Sequence, residues 1–147
     1  MTSATSATCD LCEQQGDIIV DNKDWRVVLV NDAHYPGFCR VIWNQHVKEM
    51  GDLTAEQRSQ LMDVVWDVEA SIREVMQPHK INVASLGNVV PHIHWHVIPR
   101  YIDDMHFPNP IWGQVERSVS ESLHDRHALT EKLKATIKHK LSANRDE

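Results

Sequence analysis

Apolar residues follow two kinds of pattern along the chain, and each kind predicts a different element. Short runs rich in β-branched residues, separated by polar or glycine-containing turns, predict β-strands. Five such runs occupy residues 17–21, 25–30, 38–43, 81–86 and 89–99. The polar turn at residues 22–24 predicts a hairpin between the first two strands, and Pro91 predicts an edge or a bulge at the start of the fifth.

Two longer segments carry apolar residues at every third or fourth position, which is the spacing of one face of a helix. The first begins at Thr54, which has capping-box spacing to Gln57, and ends before Pro78. It predicts a helix of about 23 residues and about 35 Å. The second predicts a helix over residues 121–141 with a narrow leucine-rich stripe. Such a stripe predicts packing either on the domain itself or on a partner chain.

These elements predict an α+β fold, with an antiparallel sheet of about five strands, one long crossing helix and a C-terminal helix. We expect residues 1–8 to form a disordered tail, residues 9–115 the main domain and residues 116–147 a C-terminal helical extension. No apolar run approaches the ~20 residues that a membrane helix needs. The first residues also lack the basic and apolar stretches of a secretory signal. We therefore expect no membrane association.

Charge and cysteine content narrow the functional classes. The net charge is −6 and no run of Lys or Arg occurs, which argues against general binding of nucleic acid. Three cysteines are an odd number and too few for a disulfide scaffold, which favours the reducing cytosol. Histidine is the unusual component, because there are 10 in 147 residues and three lie within a five-residue window. This window indicates a site.

His92, His94 and His96 alternate with apolar residues in the predicted fifth strand. Because side chains alternate between the faces of a strand, we expect all three imidazoles on one face, about 6.6 Å apart. Three interpretations compete. The histidines could be a solvated or backbone-satisfied row, they could bind a metal ion, or they could act on a phosphate. Neutral imidazole is nucleophilic, and a flanking imidazolium could protonate a leaving oxygen.

The histidine window and its surroundings resemble a known family. Residues 91–100, PHIHWHVIPR, resemble the motif of the histidine triad (HIT) family, in which three histidines alternate with apolar residues. Upstream, Pro36-Gly37, the FCRVIW strand and the His46-Val47 step resemble the same family, and Gly87-Asn88 stands where its members commonly have Gly-Gln. The resemblance covers about residues 9–101 and is to bacterial-type members with an N-terminal CxxC. It implies a HIT-like fold and a nucleotide hydrolase or transferase.

The resemblance also implies a role for each histidine. His94, the middle one, would attack the α-phosphorus of a nucleotide and form a nucleotidyl-histidine that water then hydrolyses. His96 would contact the phosphate and the leaving group, and His92 would orient its neighbour or bind metal. The implied substrates are dinucleoside polyphosphates, nucleoside phosphoramidates or related adenylates. A non-catalytic nucleotide-binding regulatory protein and a hydrolase that depends on a histidine-bound metal remain as alternatives.

Four further positions are implied as substrate contacts. Asn88 would donate to a phosphate oxygen, and Asn31 and Asp32 fall near the family's ribose-contacting position. Asp32 could equally cap a turn, because Asp is a common turn residue. Val89 stands where members often carry Ser or Thr, and Asn88 is shorter than Gln, so the chain departs from the pattern where phosphate is positioned. Trp112, among prolines, could contact a substrate or a partner, or pin its loop.

Cys9 and Cys12 form a CxxC pair, which by spacing is half of a zinc site. Alone, the pair could also be two small buried thiols or a redox couple. Many family members with such a pair bind zinc together with a later histidine and the first histidine of the motif, which correspond to His46 and His92 here. The resemblance thus implies a structural zinc, no organic cofactor, and a cytoplasmic homodimer that binds a nucleotide.

Overall fold

Five strands build one antiparallel sheet. They are β1 (Asp17–Asp21), β2 (Trp25–Leu29), β3 (Cys39–Trp43), β4 (Lys80–Ala84) and β5 (His94–Arg100). Neighbours pair in the order β1-β2-β3-β5-β4, so β5 lies between β3 and β4. The computed structural model describes residues 9–14 and 16–145. The predicted tail at residues 1–8 therefore lies outside the described residues.

One face of the sheet is covered by the long helix α1 (Ala55–Met76), and its apolar stripe explains why. Leu61, Val65, Val68 and Ile72 are fully buried. They share one core with the inward residues of the strands, which include Trp25, Val27, Cys39, Val41, Trp43 and Val97. Burying a side chain of this size contributes about 1.5–3 kcal/mol, so this layer supplies much of the stability. The histidine-bearing face is the opposite one, because strand residues alternate with period two.

The capping box predicted for α1 is confirmed. The Thr54 hydroxyl accepts from the Gln57 backbone N–H at 3.1 Å, and the Gln57 side chain accepts from the Thr54 backbone N–H at 2.8 Å. The helix ends at Met76, because Gln77 adopts the left-handed conformation with φ of 48° and Pro78 follows. A short 3₁₀ turn, Met50–Asp52, precedes the helix.

The C-terminal segment differs from its prediction. A single helix over residues 121–141 is wrong, because the segment forms α2 (Leu123–His127) and α3 (Thr130–Arg145). The Thr130 hydroxyl donates to the His127 carbonyl at 2.9 Å, a local bond of the kind that competes with continuous helix pairing. The stripe of α3 enters the α1 core through Leu133, Ile137 and Leu141. Of the two packing alternatives, the structure therefore shows packing on the domain.

The fifth strand also starts later than predicted. The interpretation of residues 89–93 as strand is wrong, because β5 begins at His94. Pro91 lacks an N–H and restricts the residue before it, and a tight turn follows in which the His92 N–H donates to the Val90 carbonyl at 2.8 Å. The other strand ends agree with their predictions to within two residues. Among the helices of the described residues, none is both long and apolar enough to cross a bilayer.

Candidate functional site

His94 is the histidine whose hydrogen bonding is fixed most clearly. Its Nδ1 lies 2.6 Å from the backbone carbonyl of His92, and a carbonyl can only accept, so Nδ1 carries the proton. The Nε2 atom of the neutral ring therefore keeps its lone pair. Burial lowers the pKa of His94, the hydrogen bond to the His92 carbonyl opposes that effect, and the charge of Arg40 lowers the pKa further. The ring is thus a neutral base at pH 7.

His96 lies two residues further along the same face of β5. Its ring centroid is 4.9 Å from that of His94, and the two rings are nearly perpendicular at 87°. Burial, followed by the charges of His94 and Arg40, lowers the pKa of His96 to about 4. Its Nδ1 atom is buried without a hydrogen-bond partner among the residues that the structure describes.

Both histidines open onto one cavity of about 470 Å³, here called the histidine cleft. It is lined by Asp10, Leu11, Arg40, Leu86, Gly87, Asn88, Val89, Val90, His94, His96 and Trp112. The volume lies in the range of small-molecule sites, and the lining combines apolar side chains with a few polar groups. The cleft can therefore take a ligand of nucleotide size.

The rim of the histidine cleft is apolar and exposed. Trp112 is 54% exposed, and its ring centroid lies 6.1 Å from that of His96. Val89, at 93%, is the most exposed of the large apolar side chains in the described part of the chain. The aromatic face of Trp112 offers a stacking surface for a planar ligand beside the histidines.

A buried ion pair holds the loop that carries Trp112. Arg100 and Asp104 are both nearly inaccessible, and the guanidinium donates to the carboxylate at 2.8 and 3.0 Å. Asp104 also accepts from the backbone N–H groups of Tyr101, His106 and Phe107. Burial alone would raise the pKa of Asp104, but the hydrogen bonds from Arg100 and the backbone outweigh it and lower the pKa to about 2.

Beside the histidine cleft, four side chains that could hold a metal ion converge. The ligand atoms of Cys9, Cys12, His46 and His92 all lie within 4.8 Å of one another. The Nδ1 atoms of the two histidines are 3.2 Å apart, and Cys12 Sγ lies 3.2 Å and 3.6 Å from them. A tetrahedral zinc site with bonds of about 2.0–2.3 Å separates its ligand atoms by roughly 3.3–3.8 Å. The donor set and its spacing fit that geometry.

The protonation of His92 also fits a metal. Its Nε2 lies 2.5 Å from the backbone carbonyl of Trp43, so Nε2 carries the proton and donates. The Nδ1 lone pair then points among the two thiols and His46, which is the arrangement expected for a ligating histidine with a second hydrogen bond. The side chain of His92 thus belongs to this cluster, and only its backbone carbonyl contacts His94.

The comparison with known sequences agrees with this geometry. The sequence model described as HIT domain matches residues 12–103, which is more than half of the chain. The chain belongs to the HIT family. The family predicted from residues 91–100 and their surroundings is therefore confirmed, and so is the α+β fold with a five-stranded antiparallel sheet.

Curated and solved members of the HIT family resemble the chain at modest identity. An AP-4-A phosphorylase of Mycobacterium tuberculosis is 29% identical over 109 residues, which are 70% of this chain and 56% of that protein. A bis(5'-nucleosyl)-tetraphosphatase (asymmetrical) of Schizosaccharomyces pombe is 28% identical over 88 residues, 56% of this chain and 48% of that protein. The chain thus spans about half the length of the curated relatives it matches. A histidine triad protein of Bradyrhizobium japonicum has TM-score 0.67 and 27% identity, covering 84% of this chain and 88% of its own.

The structure of this HIT protein separates the predicted substrate contacts. Asn88 and Val89 line the histidine cleft with His94 and His96. Asn31 lines a second cavity of about 390 Å³, here called the Asn31 cleft. Its other lining residues are Asp10, Leu11, Glu13, Gly16, Asp17, Arg26, Val28, Leu29, Val30, Arg40 and Ile42. Asp32 lies outside both clefts, and its carboxylate accepts from the His34 backbone N–H at 2.9 Å, as expected for a turn residue.

Among the lining residues that the sequence analysis did not predict, Arg40 carries a charge into both clefts. Arg40 borders both clefts and pairs with His96 across β3 and β5. The signal for it was present, because Arg40 is the single charged residue in the apolar run 38–43. Its even position puts it on the same face as Ile42 and opposite the core, where an arginine in such a strand calls for a partner.

Proposed function

We propose that the protein is a nucleotide hydrolase or nucleotidyl transferase that uses His94 as its nucleophile. Its substrate would be a dinucleoside polyphosphate, a nucleoside phosphoramidate or an adenylate, attacked at the α-phosphate. The observation that carries the proposal is the His94 ring. Its proton is held on Nδ1 by the His92 carbonyl, and the ring lines a cleft of nucleotide size with its Nε2 lone pair uncommitted.

The reaction proceeds in two displacements. His94 Nε2 forms a bond to the α-phosphorus while the bond from phosphorus to the leaving atom breaks. In a dinucleoside polyphosphate that atom is an oxygen, and the leaving group departs as a nucleoside polyphosphate anion. In a phosphoramidate it is the nitrogen, which takes up a proton from solvent and departs as an amine. Water then attacks the same phosphorus, the N–P bond breaks, and a nucleoside monophosphate leaves while the water's proton passes to solvent. His94 returns to its neutral form. The carbonyl of His92 stabilises the positive charge that His94 carries in between.

Two neighbours would assist by contacting the phosphate. Asn88 offers amide donors from the wall of the histidine cleft, and His96 lines the same cleft beside His94. The names of the two curated relatives also favour phosphate chemistry on dinucleoside polyphosphates. In a phosphorylase, inorganic phosphate accepts the transferred nucleotidyl group, whereas in a phosphatase water accepts it. The two names therefore differ in the acceptor of the second displacement. Product analysis with and without inorganic phosphate distinguishes the two.

The test of the nucleophile compares His94→Asn with a histidine outside the site. His139 is exposed on α3 and provides the matched control, His139→Asn. We expect His94→Asn to lose at least about a thousandfold in kcat while the dissociation constant for the nucleotide changes little, and His139→Asn to keep wild-type kinetics. Full turnover by His94→Asn would contradict the assignment. Tight binding of nucleotides by the wild type without turnover of any substrate would instead indicate a regulatory protein.

We further propose that the ion held by Cys9, Cys12, His46 and His92 is zinc and that it is structural. Two thiolates and two imidazoles form a closed set that leaves no position for substrate. Such a zinc would tie the segment before β1 to the residues that follow β3 and precede β5. It would fix the His92 carbonyl that orients His94. A hydrolase with a catalytic ion on the three histidines is disfavoured, because the side chain of His92 is grouped with Cys9, Cys12 and His46, and His94 and His96 are not part of that group.

We also propose a quaternary state and a cellular location. A homodimer and a cytoplasmic location follow from the family resemblance. The dimer is supported by Trp66, which is half-exposed on α1, and by β4, which is an edge strand. A reducing compartment keeps the two zinc-binding thiols reduced, as ligation requires. Sedimentation velocity at several concentrations tests the dimer, and Trp66→Asp should then shift the mass to that of a monomer.

A further inference from the structure

Three arginines project from the open face of the sheet, and their partners differ. Arg26 is 1% exposed and donates to the Asn44 side chain at 2.8 Å and to the Leu11 carbonyl at 2.6 Å. Arg100 is bound by Asp104. Arg40 has no hydrogen bond or ion pair within the described ranges, and its Nε is buried and unsatisfied. Of these three arginines, Arg40 is therefore the one that no hydrogen bond or ion pair from the described residues engages.

The surroundings of Arg40 make a guanidinium without a partner energetically unfavourable in the absence of a ligand. The guanidinium is half-buried and lies 5.7 Å from the centroid of the buried Phe38 ring. Burial lowers the pKa of Arg40, which reflects the loss of water around its charge. A cation in such a place is stabilised by an anion, and a guanidinium is suited to the paired oxygens of a phosphate.

The position of Arg40 points to a particular part of a ligand. It borders the histidine cleft, where His94 would meet the α-phosphorus, and also the Asn31 cleft. Asp10 and Leu11 border both cavities as well, so the two clefts adjoin at Arg40. A ligand that occupied both clefts would cross this residue. Among the described residues, no Lys lines either cleft, and the Arg26 guanidinium already donates to the Leu11 carbonyl. Arg40 therefore supplies the free positive charge at the junction.

We propose that Arg40 is a specificity-determining residue that binds the phosphate chain of the substrate beyond the α-phosphate. It favours substrates with a chain of several phosphates over those with a single one. The inference rests on the proposed function and deepens it. Charge-assisted hydrogen bonds of this kind are worth about 1.5–3 kcal/mol, so their loss should weaken the interaction about tenfold to a hundredfold.

The test uses two substrates that share an adenylate but differ in chain charge: diadenosine tetraphosphate and adenosine 5'-phosphoramidate. Arg40→Met should lower kcat/KM for the tetraphosphate by about tenfold to a hundredfold and for the phosphoramidate by less than about threefold. Arg40→Lys, which keeps the charge, should fall between wild type and Arg40→Met for the tetraphosphate. Arg73→Met is the control, because Arg73 is exposed on α1 far from both clefts, and it should match the wild type. An equal loss on both substrates, or no loss on either, overturns the proposal.

A second readout keeps this inference separate from the proposed function. If the wild type turns over neither substrate, the proposed function fails, and calorimetry then tests Arg40 alone. The probes are AMP and a diadenosine tetraphosphate analogue with methylene groups in place of bridging oxygens. A tenfold or greater loss of affinity for the analogue in Arg40→Met, with AMP unchanged, supports the role of Arg40. Unchanged affinity for the analogue, or an equal loss for both probes, overturns it.

Discussion

The ion pair between Arg100 and Asp104 links the fold to the site, and its removal should be among the most damaging changes outside the core. We consider Asp104→Asn, which keeps the shape of the side chain and removes its charge. Asp104 is 5% exposed and Arg100 2% exposed, so the substitution leaves a guanidinium in the interior without its counter-charge. The Asn82 side chain and the Asn109 carbonyl remain as acceptors for Arg100, which reduces the loss of stability.

Two physical estimates bound the loss in the free energy of unfolding. The pKa of Asp104 is lowered from 3.8 to about 2, and at about 1.4 kcal/mol per pKa unit this corresponds to about 2.5 kcal/mol of native-state preference for the carboxylate. Breaking a buried pair by removing one partner costs about 3–5 kcal/mol. We therefore expect Asp104→Asn to lower the free energy of unfolding by about 3 kcal/mol at pH 7.

Urea denaturation followed by tryptophan fluorescence measures this loss. The matched control is Asp103→Asn, because Asp103 pairs with Arg126 at 2.8 Å but its side chain is 44% exposed. A pair of that kind contributes about 0–1 kcal/mol. The wild type should also lose stability as pH falls from about 4 towards 2, because the unfolded chain takes up the proton first. A loss below about 1 kcal/mol in Asp104→Asn, or one equal to that of Asp103→Asn, would refute the reasoning.

Three further predictions concern the metal site, the second histidine and one turn. Cys12→Ser should remove bound zinc, measured by atomic absorption, and lower Tm by well over 10 °C, whereas zinc retained at one ion per chain would exclude Cys12 as a ligand. The NMR signals of His96 should keep their neutral positions until the pH approaches about 4, and titration near the usual imidazole pKa of about 6.5 would contradict this prediction. Because His96 takes up its proton at a higher pH in the unfolded chain than in the folded one, the free energy of unfolding should fall as the pH drops from about 6.5 to about 4. Gly37→Ala should lower the free energy of unfolding by about 1–2 kcal/mol, since φ of Gly37 is 88° and the new Cβ would lie 3.1 Å from the Met76 side chain. Thermal or urea unfolding measures this, and Gly51→Ala, with open space around it, is the control. Equal effects of the two substitutions would contradict the prediction.

The sequence predicts the sheet and the long helix well because their signals are local. Alternation in the strands and the stripe of α1 report which face meets the core, and Thr54 with Gln57 marks the helix start. The errors arose where a single residue overrides the pattern. Near Pro91, β5 begins at His94, five residues later than the apolar alternation predicts. The Thr130 hydroxyl accompanies the break of the C-terminal helix.

The sequence predicts some residues of the candidate site and not others. His94 and His96 were found from spacing alone, because they share one strand. The cluster of Cys9, Cys12, His46 and His92 joins residues up to 83 positions apart, so no local pattern predicts it and only the family resemblance brought it together. The resemblance implied that His92 orients its neighbour or binds metal, and its side chain lies among Cys9, Cys12 and His46. Arg40 was missed because its importance depends on which partners it lacks, and those are visible only in three dimensions.

The most direct test of the account is to locate the nucleotidyl group during turnover. The wild type is mixed with a dinucleoside polyphosphate labelled in the adenylate, quenched on the millisecond scale in alkaline denaturant that preserves P–N bonds, and mapped by peptide mass spectrometry. The account predicts label on the peptide that contains His94, attached to that residue. Label on another residue, or turnover in which no protein-bound label forms, would contradict it.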